Sequence, residues 1–304
     1  MEYIARLEAY NIENESKFTR DFLIKEIEKS IANQSNNKKL ERRLEKQKSQ
    51  IRRGYISFIQ REIGNRTRVL ESLLEKPDFS NLPSPYWIGF KIHFTLLTPW
   101  YSKDDKVFHL LDNPVRKEHI FGVPYMPASL WKGLIRWTCR MKSGLKEHLK
   151  AYDGRMDDWK DPDWILYLFG NERGAEEFNE GVLTFYPTWF NSIGFEVINP
   201  HNRERRAGTQ PIYYEVVPPE TKGVLSILYA PWPGNKYSKT LDEKEVLKNL
   251  IEAIDDLLRI YGFSAKRTVG WGTAKIDKWT AYKKGEPKIE VSDKKQFIKE
   301  LLRD

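Results

Sequence analysis

The stretch Leu111–Arg136 reads LDNPVRKEHIFGVPYMPASLWKGLIR, and its second half carries the densest structural signal in the chain. Pro124 and Pro127 mark a turn, Ser129 is a candidate helix N-cap, and Lys132, Gly133 and Arg136 fall on the first turns of a helix predicted over Ser129–Met141. A helix start gathers unpaired backbone N–H groups and partial positive charge, so Lys132 and Arg136 beside it form a ready anion site, with phosphate the natural occupant. A capped helix carrying ordinary surface cations satisfies the same residues, and local physics leaves both readings open.

Upstream, Phe90, Ile92, Phe94 and Leu96 alternate with Lys91, His93 and Thr95, which predicts a half-buried strand ending at Pro99. Further strands are expected at Gly181–Tyr186, Gly194–Ile198, Ile212–Val217, Gly223–Tyr229 and Thr273–Ile276, and a second helix at Glu243–Tyr261. A strand, a helix, several strands, another helix and a closing strand fit a split βαβ arrangement with long insertions. The fold class is therefore α+β with an antiparallel sheet, in the ferredoxin-like pattern.

Residues from about 15 to 79 are dense in Lys, Arg, Glu, Leu and Ile and read as helix, with the polar Asn33–Asn37 joining two segments. Leu40, Leu44, Ile51, Tyr55 and Phe58 place an apolar stripe on one helical side. Between Lys38 and Arg68 stand eleven Lys or Arg against three Glu, the pattern of a solvated face or of an arm for RNA or a partner. The Pro- and Ser-rich Ser80–Trp87 marks the change to strand pattern, so the expected division is a helical N-terminal extension, 1–80, and an α+β domain, 81–304.

Lys and Arg total 51 against 43 Asp and Glu, which suits a polyanionic partner. A single cysteine, Cys139, excludes an intramolecular disulfide and a Cys-rich zinc site, and five scattered His offer no zinc pair. No apolar run approaches the roughly 20 residues of a membrane span, and the charged start lacks a signal-peptide pattern, so a cytoplasmic protein is expected. Nucleotide-hydrolase and dinucleotide-binding glycine motifs are also missing.

Near the C-terminus, Tyr261–Gly272 reads YGFSAKRTVGWG, a loop in which Gly262, Gly270 and Gly272 allow positive φ while Lys266 and Arg267 occupy the tip. PYMPASLWKGLIR, YGFSAKRTVGWG, and Leu168-Phe169-Gly170 followed by Gly181-Val182-Leu183-Thr184-Phe185 together resemble the signatures of the repeat-associated mysterious protein (RAMP) superfamily, subunits of type III CRISPR effector complexes. The likeness covers roughly 88–280, departing from the family at Ala128, Leu130 and Trp131.

The resemblance implies a RAMP fold of the ferredoxin-like (RRM-like) type, guide and target RNA as partners together with other RAMP subunits, and a structural RNA-holding role. It points to Ser129, Lys132, Arg136, Lys266, Arg267, Gly270 and Gly272 as RNA contacts. Arg203, Arg205 and Arg206 form a second basic cluster that reads as a loop laid across RNA or as an exposed turn. Asp112 matches the Asp that serves divalent-metal-dependent cleavage in the cleaving backbone subunits; only in that role would Mg²⁺ or Mn²⁺ be implied, and an Asx turn at Asp112-Asn113-Pro114 explains the same residue. Asp104 and Asp105 could join it or form an exposed loop. Tyr214–Pro218, YEVVP, resembles an E-R-V-P strand of those same subunits.

Overall fold

The computed structural model describes residues 17–18, 20–30, 32–33, 38–73, 76–104, 110–111, 113–171, 179–199, 201–202, 207–208, 211–237 and 239–303. In chain order the elements that matter are α1 (Lys38–Leu73), β1 (Ile88–Leu96), α2 (Ala128–Arg140), α3 (Asp163–Phe169), β2 (Leu183–Phe185), β3 (Gly194–Ile198), β4 (Ile212–Val216), β5 (Lys222–Tyr229), α4 (Glu243–Asp256), β6 (Ala274–Lys283), β7 (Ile289–Val291) and α5 (Lys294–Leu301). They fall into two compact units. One holds residues 1–75, 101–125 and 190–218; the other holds 76–100, 126–189 and 219–304.

The second unit is a five-stranded sheet of order β7-β6-β1-β5-β2, every described neighbour pair antiparallel. Without the β7 edge, the path β1-α2-β2-β5-α4-β6 is a split βαβ pair, the ferredoxin-like arrangement. The period-two pattern of β1 is what directs it: Phe90, Ile92, Phe94 and Leu96 are 0–3% exposed, and each such burial contributes about 1.5–3 kcal/mol. Phe94 meets Trp131 of α2 edge-on at 6.1 Å and Phe263 at 5.4 Å, while Phe90 and Trp279 pack on Phe297 of α5.

The expected elements appear, with shifts that have physical causes. α4 ends at Asp256 and passes through a π turn, Leu257–Tyr261, before Gly262 at φ 72°. β6 runs to Lys283, well past Ile276, because Trp279 and Ala281 find their burial against β1 and α5. β7 and α5 were not anticipated from the sequence.

In the first unit, α1 buries Leu44, Tyr55, Phe58, Ile59, Ile63 and Leu70. Leu40, expected in the stripe, is 38% exposed on the first turn. Three cations from the basic run serve packing instead of forming a uniform charged face. Lys48 is 5% exposed and paired with Glu26, Arg52 Nε donates to the Leu110 carbonyl at 3.2 Å, and Arg66 is buried over the Phe58 ring. β3 and β4 form an antiparallel hairpin in the same unit. Among the described residues no helix is long and apolar enough to cross a membrane.

Candidate nucleic-acid interface

α2 starts at Ala128, with Pro127 (φ −68°, ψ 151°) in the capping position and no side-chain cap. Ser129 is therefore not the N-cap: the extended Pro127 ends the turn one residue earlier, and Ser129 lies exposed inside the first turn. Leu130 and Trp131 donate their N–H groups to the Pro127 carbonyl. Trp131 is fully buried, its Nε1 donating to Thr188 Oγ1 at 3.0 Å, so the departure from the family pattern at this position fills the core beneath the helix start.

Lys132, Arg136 and Arg140 follow at i,i+4 spacing along one side. Lys132 is exposed, and partial desolvation together with the nearby Arg136 charge lowers its pKa. Arg136 Nε and Nη2 reach Asp161 Oδ2 at 2.9 and 2.6 Å. Arg140 and Trp159 bind the same carboxylate, with contacts of 2.6–2.8 Å. Desolvation would raise the Asp161 pKa, but hydrogen bonds from Arg140, Trp159 and Arg136 outweigh it and hold the carboxyl below its usual value. Arg136 is thus part of the framework that anchors α2, as well as a candidate contact.

Gly133 lies between these cations and is exposed, and a Cβ built there meets nothing within 4 Å. No packing demand inside the protein calls for a glycine here. The helix backbone is simply left bare on its outer side.

The glycine-rich loop runs beside α2. Its root, Phe263, lies with its ring 5.0 Å from that of Trp131 and tilted by 35°, and Trp100 Nε1 donates to the Phe263 carbonyl at 3.1 Å. Gly272 (φ 86°) closes the loop where a Cβ would come within 2.4 Å of Ser264 N, so both the space and the dihedral require glycine. The crown is a 3-10 turn, Arg267–Val269, ended by Gly270 in the left-handed region, exposed and with open space around it.

Lys266 is half-exposed at the start of that turn. Arg267 is half-buried, its guanidinium 4.6 Å above the Trp137 ring, and Trp137 in turn abuts Tyr261 edge-on. Burial lowers the Arg267 pKa, and its Nη1 is buried without a hydrogen-bond partner. The guanidinium is held over the indole as a cation–π pair at the loop crown.

In the other unit, Glu215 is fully buried. It receives Lys117 Nζ on both oxygens at 2.9 and 2.8 Å, Tyr55 Oη at 3.0 Å and the Val115 N–H at 3.1 Å. The YEVVP strand therefore spends its carboxylate on internal pairing. Asp104 is also buried, 5% exposed. Asp112, Asp105, Arg203, Arg205 and Arg206, and with them the Mg²⁺ or Mn²⁺ expectation, lie outside the described residues.

The Gly133, Arg136–Asp161 and Arg267–Trp137 features were not read as such from the sequence. Gly133 stood within the helix motif, whereas partners 25 and 130 positions apart along the chain leave no periodic trace.

The split βαβ sheet thus carries a basic helix start and a glycine-rich basic loop side by side. The family model of the RAMP superfamily matches residues 84–275, and the chain belongs to that superfamily. Among solved structures it is similar to a type III-B Cmr-beta complex bound to cognate target RNA, at 19% identity and TM-score 0.50, over 82% of this chain and 78% of that one. It is also similar to a Csm3–Csm4 subcomplex of the type III-A CRISPR-Cas interference complex, at 18% identity and TM-score 0.44, over 71% and 94%. No curated protein sequence matches it.

Proposed function

We propose that the chain is an RNA-binding structural subunit of a type III CRISPR interference complex, holding guide or target RNA and stacking against other RAMP subunits. The observation that carries this reading is the bare backbone at Gly133, beside exposed Lys132, on the helix against which the loop bearing Lys266 and Arg267 packs. Bare helix backbone with cations beside it lets a phosphate approach closely and be neutralised. Membership of the RAMP superfamily supports the reading, as does a fold shared with a complex that was captured on target RNA. The role is one of holding: Lys132, Lys266 and Arg267 attract the backbone, with exposed Ser129 and Gly270 letting it come near.

The test is binding of a short unstructured RNA by wild-type chain and by Lys132→Ala with Lys266→Ala. Affinity is expected to fall at least about tenfold at moderate salt, with little change in melting temperature because both side chains are exposed or half-exposed. Unchanged affinity would remove the interface from this face.

A further inference from the structure

β1 begins and β5 ends at the same edge of the sheet, where Ile88 pairs with Tyr229. The glycine-rich loop is tied to the opposite end of β1, through Leu97 and Thr98 bonding Thr273. Nine strand residues separate the two ends, about 27 Å at strand rise. At the β1 start, the segments flanking the two strands line an open cleft of about 730 Å³. Its walls include Tyr86, Trp87, Tyr167, Pro231 and Trp232, and Glu243 is the one charged residue among those that line it.

Two features mark it as built for a ligand. Tyr86 is 73% and Trp232 is 42% exposed, a large aromatic surface to leave in water. Trp232 is also held in place: a Cβ at Gly234 would come within 2.0 Å of its ring, so the indole lies directly on that glycine. The turn is pinned by buried Asn235, whose N–H donates to the Trp232 carbonyl at 3.1 Å and whose Oδ1 accepts from the Tyr237 N–H at 3.0 Å.

Glu243 is equally oriented. Tyr229 Oη donates to its Oε1 at 2.7 Å, and Tyr167 Oη lies 2.8 Å from Tyr229 Oη. The single Tyr229 proton goes to the carboxylate, so Tyr167 donates to Tyr229, and the relay holds an acceptor-only group towards the cavity. At the rim, exposed Lys284 donates to the Pro83 carbonyl at 3.0 Å, one residue from the lining Ser84.

Flat aromatic walls receive an unstacked base. A fixed carboxylate selects the base edge that offers two adjacent donors. Guanine does so with N1–H and its 2-amino group. Adenine and cytosine set one donor beside an acceptor, and uracil sets its N–H between two carbonyls. The rim lysine suits the phosphate that follows the base. We propose that this cavity is a guanine-selective pocket taking a nucleotide splayed out of single-stranded RNA. The inference rests on the RNA-holding role. An arginine from a protein neighbour would also satisfy aromatics and a carboxylate, but Lys284 at the mouth opposes it.

The test is titration of the full chain with GMP, AMP, CMP and UMP, read by tryptophan fluorescence and calorimetry, with poly(U) retention measured in parallel. GMP is expected to bind at least about tenfold more tightly than the other three, the discrimination of one good bidentate pair. Glu243→Gln should abolish that preference and Trp232→Ala should weaken all binding, while poly(U) retention stays unchanged. Absent GMP binding, or equal binding of all four, overturns the pocket while retained poly(U) binding leaves the RNA-holding role standing. Saturable binding of N-acetyl-arginine methylamide without GMP binding would overturn it in favour of a protein contact.

Discussion

Gly133→Ala separates a structural glycine from one that keeps a surface bare. The residue sits in the interior of α2, where glycine costs roughly 0.5–1 kcal/mol relative to alanine. The added methyl meets no atom within 4 Å, so nothing offsets that gain. The substitution should therefore raise stability by about 0.5–1 kcal/mol, a melting shift of roughly 1–4 °C. On the RNA side the same methyl stands between the helix backbone and an approaching phosphate. Affinity for a short unstructured RNA should fall about tenfold, ~1.4 kcal/mol. Differential scanning calorimetry and fluorescence anisotropy on one preparation read both. A variant that is more stable yet binds RNA as wild type would refute the close approach at this helix, and a variant several degrees less stable would refute the bare surface itself.

Two further outcomes follow from the interior and one from the surface. Lys117→Met leaves Glu215 charged and buried, so the first unit should lose about 3–5 kcal/mol, and adding Glu215→Leu should recover much of it; chemical denaturation followed by CD checks this. Asp161 is held below the usual carboxylate pKa, so its contribution is complete above about pH 4 and is lost as pH falls through the lowered folded value. Asp161→Asn should remove that acid-limb loss and cost about 1–3 kcal/mol at neutral pH, discounted because Arg136 and Arg140 are 19% and 27% exposed; melting across pH 3–7 reads it. Chelation of divalent metal by EDTA should leave RNA retention unchanged, since side-chain cations neutralise the phosphates; filter binding with and without EDTA decides.

Much of this architecture was legible because its signals are local. The alternation from Phe90 to Leu96 is a period-two pattern that only a one-sided strand satisfies, and the apolar spacing over Glu243–Tyr261 is helical. α5 carries a weak local signal because half of Lys294–Leu301 is charged, and Phe297 becomes a core residue only through Trp279 and Phe90. Ser129 looked like a cap because Ser is preferred there, but Pro127 in the extended region ends the turn first. The motif positions of the site were visible, whereas their partners were not. Asp161 under Arg136 and Trp137 under Arg267 are tertiary pairings between segments distant in sequence, and Lys117 under Glu215 joins segments nearly a hundred residues apart.

If Lys132, Lys266 and Arg267 hold a phosphate backbone, the salt dependence of RNA affinity reads it. Single-strand binding loses about 0.7 in logarithmic slope per phosphate neutralised. Three contacts give a slope near −2, about a 20-fold loss between 50 and 200 mM salt. Lys132→Ala with Lys266→Ala should flatten that slope by about 1.4. Tight binding that ignores salt, or a slope unaltered by removing both lysines, would contradict the account.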